Sequence, residues 1–222
     1  MRDVRLWIKK EGRAKYISHL DLNRVLTRAV KCARINLWYT EGFNPHPYLN
    51  FLTPLSLGQE SDGEPLDIRI LDDIEYSEIA NKLNSVLPEG ISIKSVTDCK
   101  DKCADISFAE YDIVLDFEDS EKASHFANEA VTLLESRNLF AEKIGKKGRQ
   151  KVVKQVDICA YVKDYSVKAE GECVLINTIL STGNNNLNPA LLVTALNEKI
   201  GKEELLHIRR KRFFKEDMST FQ

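Results

Sequence analysis

Two histidines stand in settings where an imidazole could take or give a proton. His46 lies in Gly42-Phe43-Asn44-Pro45-His46-Pro47, and His19 in Tyr16-Ile17-Ser18-His19-Leu20-Asp21. Asn44 and His46 each precede a proline, which drives both into extended backbone. The loop is therefore stiff and presents Phe43, Asn44 and His46 at low entropic cost, as a ligand or partner contact requires. A rigid structural turn is the alternative for the same residues. His19 falls in the first turn of an expected helix, where free N–H groups favour an anion. A phosphate seated there would have His19, Arg24 and Arg28 around it. Plain capping by Ser18 and Asp21, with His19 solvated, is the alternative. If the fold brings both imidazoles to one substrate, His19 and His46 are the acid and base of a metal-independent RNA cleavage or modification.

The cations are clustered. The stretch from Lys143 to Lys154 carries Lys146, Lys147, Arg149 and Lys151 around Gly145 and Gly148, so the backbone turns while positive charge accumulates. Near the end, Arg209, Arg210 and Arg212 precede Phe213 and Phe214. Such runs match the footprint of a phosphate-backbone contact. A solvated hairpin and a basic tail are the alternative. The formal net charge is −2, so an RNA contact has to rest on local clustering and not on the overall balance.

Other constellations are weaker. Gly58, Glu60, Ser61, Glu64 and Asp67 read as an acidic loop leading into a strand, and Glu64 joins the Phe43–His46 loop as a candidate ligand or partner contact. With His19, Asp21 and His46 these acids match no diagnostic ligand spacing, so no metal is expected. Cys99 and Cys103 would need a third cysteine at position 106 to hold a radical-SAM cluster, and that position is Ile106. No Walker loop, dinucleotide fingerprint or paired-cysteine zinc pattern is present, and no cofactor is expected.

The elements that must position these residues follow from periodicity. Val4, Leu6 and Ile8 alternate as in a half-buried strand. Leu22, Val25, Leu26, Ala29, Val30 and Ala33 share one face of a helix over residues 19–34, with Ser18 as N-cap and Asp21 as its capping partner. Short strands at 36–41 and 48–55, a strand at 66–71, a helix marked by Ile79, Leu83, Val86 and Leu87, and a strand at 91–96 complete β-α-β-β-α-β. The pattern then repeats: a strand at 111–117, a helix capped by Ser120, strand material from Phe140 that includes an extra hairpin at 143–154, strands at 156–162 and 173–180, a helix opened by Asn188-Pro189, and a strand at 205–214. The expected class is α+β: two tandem ferredoxin-like (βαββαβ) halves, antiparallel sheets with helices on one face. The halves are expected at 1–98 and 110–222, with 99–109 as linker.

Bulk properties agree. Hydrophobic residues make up 43% of the 222, enough for a folded core without staples. The charged N-terminus is no signal peptide, and no stretch is apolar enough to cross a membrane. The five scattered cysteines are expected as free thiols in the cytoplasm.

Taken together, Tyr16-Ile17-Ser18-His19-Leu20-Asp21, Gly42-Phe43-Asn44-Pro45-His46-Pro47, Pro54-Leu55 with Gly58, Ser61 and Glu64, and the basic Lys-Gly-Arg stretch before Val156-Asp157-Ile158 resemble the radical-SAM-linked protein family, a bacterial domain of unknown function. Members are fused to, or encoded beside, a cobalamin-binding-type radical SAM protein, and lie near genes for ribonuclease G and ribosomal proteins. The resemblance implies an RNA or translation context and a radical SAM partner. It supplies no catalytic residues. Tandem ferredoxin-like halves with a basic hairpin also resemble RNA-binding proteins of the RAMP superfamily, though their glycine-rich C-terminal motif is not evident. The leading expectation is an accessory protein that presents tRNA or rRNA to a radical SAM modifying enzyme. A histidine-based RNA-processing enzyme and a purely protein-binding subunit, anchored by Tyr39, Phe43, Tyr48 and Phe51, are the alternatives.

Overall fold

The computed structural model describes residues 1–147, 150–201 and 204–222, with the side chains of all of these except 143–147, 150–154, 184, 204 and 206. The chain divides into two compact units: residues 1–106 with 209–222, and residues 107–208. The α+β class expected from the periodicity holds. The division differs from the expected one at the end of the chain, where residues 209–222 fold into the first unit. The expected linker also carries structure, since a short 3₁₀ turn forms at Cys103–Asp105 and Asp101 binds Gln222.

In the first unit, strand β1 (Arg2–Lys10) points Val4, Leu6 and Ile8 inward, each at most 1% exposed. A 3₁₀ turn at Gly12–Tyr16 leads to helix α1 (His19–Cys32). Ser18 caps that helix: its Oγ accepts from the Asp21 N–H at 3.1 Å and its hydroxyl donates to the Asp21 carboxylate at 2.7 Å. Leu22, Leu26, Ala29 and Val30 are the buried stripe. Strand β2 (Leu49–Phe51), strand β3 (Glu60–Ile70), helix α2 (Tyr76–Asn84) and strand β4 (Ile91–Asp98) follow. Pairing is antiparallel in the order β4-β1-β3-β2, the ferredoxin-like order. Both helices contribute to one core with the inward residues of β1 and β3.

Two expectations change here. Residues 36–41 form no strand, only single bridges from Leu37 to Ile70 and from Tyr39 to Pro47. The acidic segment from Glu60 is no loop: β3 begins there, six residues before the apolar alternation at Leu66. Polar residues hold strand geometry because their partners are ionic and come from elsewhere in the unit. On the opposite face of the sheet, Arg5 is fully buried against Asp67 and Phe221, and Trp7 meets the edge of Phe221.

The second unit runs β5 (Phe108–Asp116), α3 (Ser120–Glu135), β6 (Phe140–Lys147), β7 (Gln150–Asp157), β8 (Val162–Glu170), β9 (Cys173–Ser181), α4 (Pro189–Ile200) and the start of β10 (Glu204–Phe214). Strands β5, β9 and β8 pair antiparallel, and α3 packs on β8 and β9. Asp119, not Ser120, caps α3, accepting from the Lys122 N–H. The strand expected at 156–162 is instead the end of β7, a 3₁₀ turn at Cys159–Tyr161 and the start of β8. Strands β6 and β7 form a separate two-stranded ribbon over the expected hairpin.

Candidate functional site

The polar start of β3 is the centre of an ionic network in the first unit. Arg210, which runs parallel to β3 beside Ser61, donates to both oxygens of Glu64 at 2.9 and 2.6 Å and to the Thr53 carbonyl at 3.0 Å. Its guanidinium lies 4.9 Å from the Phe213 ring centre. Arg210 is 4% exposed and Glu64 2%. Next to them, Arg209 donates to Glu60 at 2.6 Å and to Asp62 at 3.3 Å, and Lys211 reaches Asp62 at 2.8 Å. The hydrogen bond to Glu60 holds Arg209 more firmly protonated than a free arginine. Burial works to raise Asp62, but Lys211 and Arg209 outweigh it and hold its carboxyl below the usual range.

Lys10, 2% exposed, belongs to the same cluster. It stands where the alternation of Val4, Leu6 and Ile8 would place one more apolar residue. Its ammonium donates to the carbonyls of Ile17 at 3.2 Å and Lys15 at 3.4 Å. Burial pushes it down, and the charge of Glu64 partly opposes that. The loop at 11–18 is tied further by Gly12 N–H to Glu60 at 3.0 Å and by Gly58 N–H to the Lys15 carbonyl at 2.8 Å. Three segments singled out separately in the sequence therefore meet here: the approach to α1, the 58–64 stretch and the arginines of β10. The expectations for Arg210 as a phosphate contact and for Glu64 as a loop contact are corrected. Both are interior and hydrogen-bonded to each other, and Arg210 also holds the Thr53 carbonyl. Arg209 is engaged by two carboxylates.

At the helix entrance, the His19 ring meets the edge of Phe51, with centroids 4.7 Å apart. His19 Nδ1 is buried and unpartnered among the described residues, as is Thr53 Oγ1. His19 is thus half-buried, with its ring packed on Phe51 and Nδ1 turned inward. Arg24 is exposed and reaches Asp21 at 3.0 Å; Arg28 is exposed on the same helix.

The Phe43–His46 loop is braced from within. Thr40 N–H donates to the His46 carbonyl at 2.9 Å, His46 N–H donates to Thr40 Oγ1 at 3.2 Å, and His46 Nδ1 lies 3.0 Å from the Asn44 carbonyl. Both X–Pro bonds in it are trans. At its base Arg69 lies 5.2 Å from the Trp38 ring centre and 5.1 Å from that of Tyr48, and it pairs with Asp3. Phe43 is fully exposed. The ring nitrogen of His46 is engaged inside its own loop and that of His19 faces the interior, so the two imidazoles have separate settings with no shared partner among the described residues.

In the second unit, the ribbon register sets Lys146 opposite Lys151 and Lys143 opposite Lys154, and Lys147 opposite Gln150. Arg149 lies outside the described residues. Arg212 is exposed, with its guanidinium 5.9 Å from the Phe214 ring centre. Asn177 donates to Glu110 at 3.1 Å and to Asp112 at 2.8 Å. Among the described residues no group of His, Cys, Asp and Glu is placed to hold a metal ion, and no helix is long and apolar enough to cross a membrane.

Sequence reasoning missed Lys10, whose signal was a cation continuing an inward-facing alternation. It also missed Tyr16, Leu20 and Leu57 as exposed apolar residues beside the helix entrance, 67%, 68% and 67% exposed.

Comparison with known proteins adds a fold and a family. A chain of a Cbf5-Nop10-Gar1 complex superposes with a TM-score of 0.50 at 11% identity, over 96% of this chain and 50% of that one. A chain of an H/ACA RNP bound to a substrate RNA containing 2'-deoxyuridine gives a TM-score of 0.46 at 13% identity, over 97% and 49%. At 11% identity the first likeness is one of fold alone, and this chain spans about half the length of these two chains. A search of curated proteins finds no match. Residues 3–189 match the model of a bacterial family described as an uncharacterized protein conserved in bacteria (DUF2344), and the chain belongs to that family.

Proposed function

We propose that the chain is an RNA-binding accessory protein that holds tRNA or rRNA for a radical SAM modifying enzyme. The observation that carries this reading is the ribbon register. Lys146 faces Lys151 and Lys143 faces Lys154. Like charges directly opposite one another destabilise a sheet pair. A polyanion laid along the ribbon removes that repulsion.

The enzyme-facing half of the reading rests on the loop at Phe43 and on the motifs that resemble the radical-SAM-linked family. No Lys or Arg occurs between Arg34 and Arg69. The braced loop therefore offers a fully exposed aromatic ring without phosphate-seeking charge, which suits an apolar pocket on a protein.

The test is binding of purified protein to tRNA and to rRNA fragments by fluorescence anisotropy across a salt series. The comparison variant changes Lys143, Lys146, Lys151 and Lys154 to Ala. Wild-type affinity is expected to fall steeply with salt, and the variant to lose a slope of about three to four in log K against log salt. Equal slopes for the two proteins would remove the ribbon from the interface. A second arm adds a radical SAM partner and asks whether Phe43→Ala weakens its capture while RNA affinity stays unchanged.

A further inference from the structure

Tyr16, Leu20 and Leu57 are each about two-thirds exposed, and the core of the first unit uses none of them. They are neighbours. Tyr16 ends the 3₁₀ turn and Leu20 lies in the first turn of α1. The hydrogen bond from Gly58 N–H to the Lys15 carbonyl joins the segment of Leu57 to that of Tyr16. Single exposed apolar residues are ordinary, but three gathered on one rim are a surface with a use.

Cations stand beside them, with the exposed carboxylate of Asp21 among them. Arg13 is exposed, and the Lys15 ammonium lies 5.2 Å from the Tyr16 ring centre. Along α1, Leu20 is followed at helical spacing by Arg24, Arg28 and Lys31, all exposed. Residues three and four apart share a helix face, so these side chains form a line with roughly one cation per 5.4 Å turn. Among the described residues Arg24 pairs with Asp21, an exposed pair that is weak in water. An exposed ring beside a line of cations is the arrangement that holds unpaired nucleic acid, with bases stacked on the ring and phosphates along the charges.

We infer that the rim formed by Tyr16, Leu20 and Leu57 is a stacking platform for an unpaired nucleotide of the bound RNA, with Arg24, Arg28 and Lys31 following the strand away from it. This rests on the RNA reading above and adds a preference for single-stranded segments. Tyr16 supplies the π-face, and Leu20 and Leu57 shield the edges of the base from water. A protein partner on the same rim is the competing occupant, and the test separates the two.

The probes are a short labelled oligouridylate and a labelled RNA duplex, measured by anisotropy against wild type, Tyr16→Ala and Tyr16→Phe. Tyr16→Ala is expected to weaken the oligouridylate about tenfold, the loss of one stacked base, and to leave the duplex within twofold. Tyr16→Phe keeps the π-face and is expected to bind as wild type. The salt slope is expected to be the same in all three, since no cation is removed. Independently of any variant, 4-thiouridine placed in the oligonucleotide is expected to crosslink wild-type protein within residues 13–20. Wild-type affinity in Tyr16→Ala, with crosslinks only outside the first unit, overturns the platform and leaves the RNA reading standing. Failure of wild type to bind either probe at about 50 mM salt, where phosphate contacts are strong, overturns both. A rim that binds neither probe yet is protected from solvent by a radical SAM partner is a protein interface.

Discussion

The carboxylate of Glu64 and the guanidinium of Arg210 stand side by side through hydrogen bonds of 2.9 and 2.6 Å, although 146 residues separate them in the chain. The pair is interior, and removing Arg210 leaves the Glu64 carboxylate without its hydrogen-bonded partner, with Lys10 as a more distant cation. Arg210→Ala is expected to cost about 3–5 kcal/mol in urea unfolding. The double replacement Glu64→Leu with Arg210→Leu is expected to cost less than Arg210→Ala alone, since neither member of the pair is left charged, although Lys10 loses the opposing charge of Glu64. Arg212→Ala, at an exposed position, is expected to cost under about 1 kcal/mol. Equal losses for Arg210→Ala and Arg212→Ala would mean that the buried pair contributes nothing.

Gly90 and Gly58 both have φ of +83°, but a Cβ at Gly90 would lie 2.6 Å from the Glu11 carbonyl oxygen, whereas a Cβ at Gly58 meets nothing. Both substitutions to alanine carry the left-handed backbone cost, about 1–2 kcal/mol. Gly90→Ala adds a backbone clash and is expected to reach on the order of 3 kcal/mol or more. Thermal unfolding of the two variants side by side decides it, and a larger loss at Gly58 would contradict the close approach.

Burial pushes the Cys99 thiol up to about 12, and the charge of Asp67 adds to the effect. The thiolate is the reactive form. In native protein at about pH 8, iodoacetamide is expected to modify the exposed Cys32 while Cys99 stays unmodified until denaturant is added. Peptide mapping by mass spectrometry reads the order, and early labelling of Cys99 would refute its setting.

The Gln222 N–H holds the Asp101 carboxyl below its ordinary 3.8, against a smaller opposing effect of burial, and Lys215 assists. A carboxylate with a lowered folded pKa leaves the unfolded chain binding more protons, so stability rises with pH. The contribution is complete above the unfolded value and is lost as pH falls through the folded one. Wild type is expected to lose stability between about pH 5 and pH 3, and Asp101→Asn to lose less over the same interval. Parallel urea midpoints for the two proteins across that range would rule Asp101 out.

Local order determined what could be read from the sequence. Helix α1 was legible because Ser18, Asp21 and the Leu22–Val30 spacing are all local signals, and α4 because Asn188 and Pro189 mark its start. The extra hairpin was legible from two glycines among lysines. The start of β3 was not. Glu60, Ser61, Asp62, Gly63 and Glu64 lack strand periodicity, and what makes them a strand is pairing with Arg209 and Arg210 from the far end of the chain. For the same reason a run of arginines that looked like one basic surface separates according to the partners each one meets. Arg210 turns inward to Glu64 and Arg212 stays exposed. Matching three acids at 60–64 against the cations at 209–211 was the available clue, and it is a long-range one.

The first unit is made of two stretches of chain, residues 1–106 and 209–222, and this sets an order on the ribosome. Arg5 is synthesised before all of its partners. It finds Asp67 and the Asp101 carbonyl first, but the Gln222 carbonyl and the ring of Phe221 only after residues 107–208 have been made. Everything from 107 to 208 is translated in between, on the order of ten seconds at usual bacterial rates. During that interval the nascent sheet displays Trp7 and a half-matched Arg5 on a face that will later be covered. The emerging chain thus carries a temporary sticky surface, one that a ribosome-bound chaperone has time to meet and that vanishes when the final residues arrive.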